Sequence, residues 1–316
     1  MFIRYVKAYK KPLLFVLGLT FILTLLNQSD LPAVFHALRS IHMRYFALLL
    51  SLQLITIIAI AYQWQFIIKR YTINLSVFTL ILMNLNGTFY EAITPAVKAG
   101  GEAYKVLYLK KYTHDVYRAA AMVTIQKSIS LIGFLTLTLI SLHFLTVMPA
   151  LNNDAMILFG IIFGIVITLS LFMIVFRNKN TFLNSVVKAF TPFKTRKTEL
   201  VLHYALSISI WLMFALKLGI LLMAFNLDFP LTTILALTFI PYMVGLLPLS
   251  PGGLGTFETT LTLMLTSLGV AFTQALSITL IFRFITFWFP FVLSLLNIGV
   301  QSLKLKRRQI NAKTSS

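Results

Sequence analysis

The chain has 316 residues, of which 59% are hydrophobic, 11% are charged and 28 are Phe. A soluble domain of this length does not carry so much apolar side chain on so little charge, so the composition is that of an integral membrane protein. The net charge of +19, from 27 Lys and Arg against 8 acids, would suggest nucleic acid in a soluble protein. Here the cations flank apolar runs and are read as topology signals, with attraction to anionic head groups as a second consequence and no nucleic-acid partner. The absence of cysteine excludes disulfides, thiolate nucleophiles and thiolate-bound metals.

In chain order, Met1 to Lys11 carries four cations and leads into an apolar run at 12–27. No small-residue cleavage site follows, and Asn27-Gln28-Ser29-Asp30 suits a helix end, so this is read as a retained first span. Further apolar runs lie at 44–68, 76–95, 118–146, 155–176, 200–226, 229–247, 256–269 and 274–300. About 20 apolar residues suffice for a helix to cross a bilayer core.

Cations place the N-terminal tail, Lys69-Arg70, the 98–118 segment, the 177–197 loop and the tail after Lys304 on the cytoplasmic side. The segments at Asn152-Asn153-Asp154 and Asn226-Leu227-Asp228 lack cations and are expected outside. The 28–44 loop is expected outside too, although it holds Arg39 and Arg44.

Lys69-Arg70 and the 98–118 segment then share a side, so the run 76–95 cannot be one crossing. It is expected to dip in, break at Thr94-Pro95 and return through a Gly100-Gly101 turn. Between an outer residue 228 and an inner tail an odd number of crossings is needed. A hairpin of 229–247 and 256–269, hinged at Pro248 to Gly255, plus one crossing at 274–300 satisfies this; three full crossings satisfy it as well.

The fold expected is all-α and polytopic, with about six spans and two re-entrant hairpins in a single domain. Residues 44–146 and 200–300 would share a span–hairpin–span plan in opposite orientation, and such inverted repeats commonly enclose a midplane site.

The hairpin breaks carry the chemistry. Pro95-Ala96-Val97-Lys98-Ala99-Gly100-Gly101-Glu102 and Pro248-Leu249-Ser250-Pro251-Gly252-Gly253-Leu254-Gly255-Thr256-Phe257-Glu258 each end in an acid inside apolar sequence. Each acid precedes a cation by 25 residues, Glu102 before Lys127 and Glu258 before Arg283. Ionisable groups at membrane depth are costly and mark functional sites. A carboxylate there must be paired or it takes up a proton, and Lys105 and Arg118 are further candidate partners.

The plainer role of each pair is to pin hairpin to span. The sharper one is a cavity where the charges meet a lipid head group. Pro95, Pro248 and Pro251 are candidate hinges. Gly100, Gly101, Gly252, Gly253 and Gly255 permit close backbone approach, and a glycine turn entering a helix can offer N–H groups to a phosphate. Simple hairpin geometry explains the same glycines. The five His show no metal-ligand spacing, and neither metal nor cofactor is expected.

Asn86, Pro95, Ala99-Gly100-Gly101-Glu102 and the Pro248/Pro251-Gly252-Gly253-Leu254-Gly255 stretch with Glu258 and Arg283 resemble the lysylphosphatidylglycerol synthase/flippase transmembrane family over roughly residues 10–300. The resemblance implies a bacterial or archaeal cytoplasmic membrane with both termini cytoplasmic. It implies translocation of a phospholipid, aminoacylated lipid or lipid-linked carrier between leaflets. The partners it implies are lipids with anionic or zwitterionic head groups and a separate lipid-modifying enzyme. Larger members add a soluble domain that transfers lysine to phosphatidylglycerol. This sequence ends at Lys304-Leu305-Lys306-Arg307-Arg308 and a short polar tail, so transport is expected rather than lysyl transfer. A phosphatidylglycerol lysyltransferase, or the membrane subunit of an aminoacyl-lipid synthase, is the first alternative. An exchanger of small solutes or ions is the second.

Overall fold

The computed structural model describes residues 41–94, 99–145, 197–246 and 251–314, together with Pro32 and Arg39. No strand occurs among them. Helix α1 (Met43–Lys69) is 27 residues long, about 40 Å at the helical rise, and crosses a bilayer with room to spare. His42 caps it by accepting a hydrogen bond from Arg44 N–H at 3.3 Å. It closes at Lys69, and Thr72 then adopts φ 58° to turn the chain.

Ser76 caps α2 (Val77–Ile93), accepting from Thr79 N–H at 3.2 Å. Helix α3 (Ala99–Thr113) follows. At 17 and 15 residues both are too short to cross alone. They run antiparallel: a β-carbon on Gly100 would meet Thr94, one on Gly101 would meet Gly87, and Asn86 bonds Tyr104 further along. The run expected to dip in at 76–95 and return is thus one arm of an antiparallel pair of short helices, α2 and α3. The second arm is a helix rather than a turn and loop, hidden in the sequence by its Lys and Tyr content. Gly100 and Gly101 are correspondingly not a turn. They lie in the first turn of α3, where their missing side chains let α3 approach α2.

Asp115 caps α4 (Val116–Leu145) through a 2.8 Å bond from Tyr117 N–H to Oδ1. Helix α5 (Lys197–Ala224) and the short α6 (Leu231–Gly245) follow the second described break. A 3₁₀ turn (Pro251–Gly253) leads to α7 (Thr256–Ser267) and α8 (Phe272–Arg283). A π turn (Phe284–Trp288) then joins α8 to α9 (Phe289–Thr314). The run expected as one span at 274–300 thus carries a π turn directly after Arg283. Its helix also continues to Thr314, through Leu, Lys, Arg and Gln residues that favour helix.

Among the described residues, four segments are long and apolar enough to cross a membrane: Met43–Lys69, Val116–Leu142, Thr198–Ala224 and Phe272–Gln301. The runs at 12–27 and 155–176 lie outside the described residues. Large apolar side chains such as Ile55, Phe66, Leu107 and Leu296 are exposed, as they must be on a surface that faces lipid tails.

The order long helix, two short helices, long helix occurs twice. Each hairpin packs across to the other group, α2 against α9 and α6 against α4, while α1 packs along α5. One buried cluster includes Leu49, Phe134, Phe239, Phe257 and Phe282; a second includes Trp64, Ile67, Leu80, Met83 and Met122. Helices α1 and α4 contribute to both, so they form the wall between the two hairpins.

A β-carbon on Gly101 would lie 2.7 Å from the Gly87 carbonyl oxygen, while one on Gly299 would meet nothing within 4 Å. Gly101→Ala should therefore push α3 off α2 and destabilise the protein by about 1–3 kcal/mol. Gly299→Ala should be neutral or stabilise by up to about 1 kcal/mol. Melting temperatures in detergent check both; equal behaviour of the two variants would contradict the close α2–α3 approach.

Candidate functional site

Three glycines with φ of 62° (Gly252), 68° (Gly253) and 83° (Gly255) carry the chain into α7. A side chain would strain that backbone. It would also collide: a β-carbon on Gly252 would lie 2.9 Å from the Phe287 ring, and one on Gly253 would lie 2.8 Å from the Gly245 carbonyl. This turn places Glu258 in the first turn of α7, where Oε2 accepts from Gly255 N–H at 2.7 Å. The foremost amide of this helix end is thus occupied by the protein's own carboxylate.

Glu258 Oε1 lies 2.9 Å from Arg283 Nε. Nε–H is not aligned for a hydrogen bond and finds no other acceptor, so this contact is electrostatic. Arg283 is directed instead by its Nη2, which donates to the Gly252 carbonyl. Its guanidinium lies 4.9 Å from the centre of the Phe257 ring and 4.3 Å from that of Phe287. The π turn brings Phe287 round to this position. The two side chains are only 5% and 3% exposed. Burying such a pair is tolerable because hydrogen bonds and ring faces replace the lost water.

The first hairpin builds a looser pair. Glu102, in the first turn of α3, accepts through Oε1 from Lys127 Nζ at 3.3 Å and Lys105 Nζ at 3.4 Å. The other carboxylate oxygen, Oε2, is buried without a hydrogen-bond partner. Lys127 is 43% exposed, and Lys105 Nζ sits 5.9 Å above the Trp64 ring. Both pairs expected from the 25-residue spacing are formed, but one is closed and the other open.

Glu102, Lys105, Lys127 and Arg283 line one cavity of about 290 Å³ walled by α1 to α7, the π turn and the start of α9, with Glu258 behind Arg283. Gly252 and Gly253 also line it, whereas Gly100 and Gly101 do not. Pro251 opens the 3₁₀ turn; Pro95 and Pro248 lie outside the described residues. Arg118 is 3.8 Å from Asp115 and does not join the Glu102 site. Glu199 pairs with Arg70 and ties the start of α5 to the end of α1. Among the described residues no three His, Asp or Glu converge to hold a metal ion.

Several polar contacts in and around the site escaped the sequence reading, among them those of Asn86, itself a residue of the family motif. Gln126 donates to Gln63 at 3.1 Å across the α1–α4 seam. Asn297 donates to Asn86 at 2.6 Å, and Asn86 donates to Tyr104 at 2.9 Å, fastening α9 to the first hairpin. Lys217 is wholly buried and donates to Gln53 and Thr56. A signal for it existed: Lys217 is the single Lys, Arg, Asp or Glu between Leu200 and Ala224.

The chain matches the family model described as the lysylphosphatidylglycerol synthase TM region over residues 12–294. Its relatives include a UPF0104 membrane protein of Methanocaldococcus jannaschii, 24% identical with 98% of each chain covered. Another, from Pyrococcus horikoshii, is 23% identical, covering 96% of this chain and 99% of the relative. A third, from Methanothermobacter thermautotrophicus, is 22% identical over 89% of this chain and 92% of its own. A match of that extent, on an all-helical membrane architecture, means that the chain belongs to the lysylphosphatidylglycerol synthase TM-region family.

Proposed function

We propose that this protein moves a phospholipid or lipid-linked molecule between the leaflets of the cell membrane. The observation that carries the reading is one cavity lined by Glu102, Lys105 and Lys127 and by Arg283, the partner of Glu258 in the second hairpin. Charged side chains on an intramembrane cavity are costly unless they meet a polar ligand, and a lipid head group is the polar ligand a membrane supplies.

In this reading Lys127 and Lys105 hold the head-group phosphate. Glu102 Oε2, which lacks a partner, accepts from a head-group hydroxyl or ammonium. Glu258 and Arg283 act as the pin of the second hairpin, and the turn at Gly252, Gly253 and Gly255 bends as that pin is released. The twofold order of elements and the crossed packing of α2 on α9 and α6 on α4 support an inverted repeat. Rocking of one half on the other would open the cavity to each leaflet in turn.

Fluorescent-lipid accessibility in reconstituted vesicles tests translocation. Scrambling above that of protein-free vesicles is expected; equal rates would remove the reading. Proton-driven solute uptake without lipid movement would identify an exchanger instead. Lysyl-lipid formation from lysyl-tRNA would identify an enzyme.

The inverted arrangement predicts sidedness. The chain has no cysteine, so single cysteines can be read without background. Thr72→Cys and Tyr112→Cys should both label from the cytoplasm and Asp228→Cys from outside, with both termini cytoplasmic. Labelling of positions 72 and 112 from opposite faces would defeat the first re-entrant hairpin.

The two pairs predict different cycles. Glu258→Gln or Arg283→Ala alone should cost about 3–5 kcal/mol, the range for an orphaned buried charge. The double variant should cost less than the sum of the two. At the half-exposed Lys127 the cost should be about 1 kcal/mol or less, while transport falls sharply. Melting temperature and lipid translocation on the same variants read both. Additive stability losses at Glu258 and Arg283 would mean the groups do not interact.

A further inference from the structure

Lys217 has no carboxylate partner among the described residues. Its ammonium has three donors and no acceptor. One is taken by Gln53 Oε1 and one by Thr56 Oγ1 at 3.3 Å. The third side meets the Phe214 ring, 4.0 Å from the centroid. Thr56 gives its own proton to the Leu52 carbonyl at 2.7 Å, so it can only accept from Lys217. Every group around Nζ therefore suits a charged ammonium.

This fixes the orientation of Gln53. Because Lys217 only donates, Gln53 must turn its oxygen to the lysine and its NH₂ the other way. Gln53 lines the cavity, with its NH₂ turned away from Lys217. Gln63, on the same lining, has a buried Nε2 without a partner. The α1 wall thus offers two amide groups to the cavity, one of them a buried donor without an acceptor.

The charge count points the same way. Among the described residues that line the cavity, Glu91 and Glu102 stand with Lys105, Lys127 and Arg283, and Arg283 is matched by Glu258 from behind the lining. Lys217, one amide behind the wall, has no carboxylate among the described residues to cancel its ammonium charge.

We propose that the cavity takes a phosphate-bearing lipid of net negative charge, its phosphate oxygens against the Gln53 amide, and that Lys217 sets this charge preference through Gln53. The inference rests on the translocation reading for the identity of the ligand as a lipid. It narrows the head group: phosphate with uncharged hydroxyls fits, and phosphate balanced by an ammonium leaves Lys217 uncompensated.

The test is lipid binding to the purified chain in detergent, read by native mass spectrometry. The probes are phosphatidylglycerol, a polyprenyl phosphate, phosphatidylethanolamine, diacylglycerol and inorganic phosphate. Both anionic lipids should bind about tenfold or more tighter than phosphatidylethanolamine, because one charge interaction at an effective dielectric of about 20 and several ångströms is worth at least that factor. Displacement of the lipid by millimolar inorganic phosphate would mean a free-anion site and overturn the proposal.

Gln53→Glu is the decisive variant, because it pairs Lys217 in place and keeps the helices clamped. It should fold and lose the anionic preference, while Lys217→Arg should retain it. A folded Gln53→Glu protein that keeps the preference, or wild-type protein that binds both lipid classes equally, overturns the proposal. Anion-selective binding with no scrambling would defeat the translocation reading and leave this inference standing. Scrambling with unselective binding would do the reverse.

Discussion

Arg283 joins three things that would otherwise be independent: the carboxylate of Glu258, the carbonyl of Gly252 and the two rings of Phe257 and Phe287. At membrane depth a helix end, a broken backbone and a charge are each unfavourable, because no water is present to satisfy them. Placed together they satisfy one another. The carboxylate takes the first amide of α7 and faces the guanidinium; the guanidinium takes a carbonyl of the turn. The broken backbone of the second hairpin can therefore be held among buried side chains. Removing any one member exposes the costs of the rest.

The first hairpin meets the same constraint with less closure. Its acid sits at the start of α3, where a carboxylate is favoured by the helix dipole. Its two lysines reach it at 3.3 and 3.4 Å, with flexible stems and one of them half in the open. Lysine is a mobile point charge, whereas arginine is a planar group fixed by stacking. One charge pair is consequently fixed in place for as long as Arg283 holds its contacts, and the other can exchange an internal partner for a ligand at modest cost.

Much of this was legible in the sequence because membrane depth leaves few options. Apolar run lengths located α1, α4 and α5 to within a few residues. The sidedness of Lys69-Arg70 against the 98–118 segment forced the first hairpin, and the equal spacing of acid and cation identified both pairs. What escaped did so for physical reasons. Helix α3 lacks an apolar run, since its Tyr and Lys residues pack among neighbours from α2. The π turn after Arg283 leaves no mark on hydropathy. The glutamines of α1 and α4, and Asn297, are uncharged and find their partners only across helices, as does the motif residue Asn86. Lys217 was visible as a lone cation, but its partners lie 161 and 164 positions away, beyond any local pattern.

The distribution of glycine separates two ways of making a hairpin tip. At Gly252, Gly253 and Gly255 the residue is needed for its left-handed backbone, and the aromatic wall presses against it. At Gly100 and Gly101 the backbone is ordinary helix, and glycine is needed because α2 is too near for any side chain. A turn of the first kind can change its dihedral angles without unpacking a helix, provided Phe287 and Arg283 move with it. A contact of the second kind can only slide or separate as a unit. Motion in this protein is therefore expected to centre on the second hairpin tip, with the first moving as a rigid pair of helices. The loose charge pair, which tolerates displacement, belongs to the rigid hairpin. The tight pair, which does not, belongs to the tip that bends, so release of Arg283 from the Gly252 carbonyl becomes the step on which opening depends.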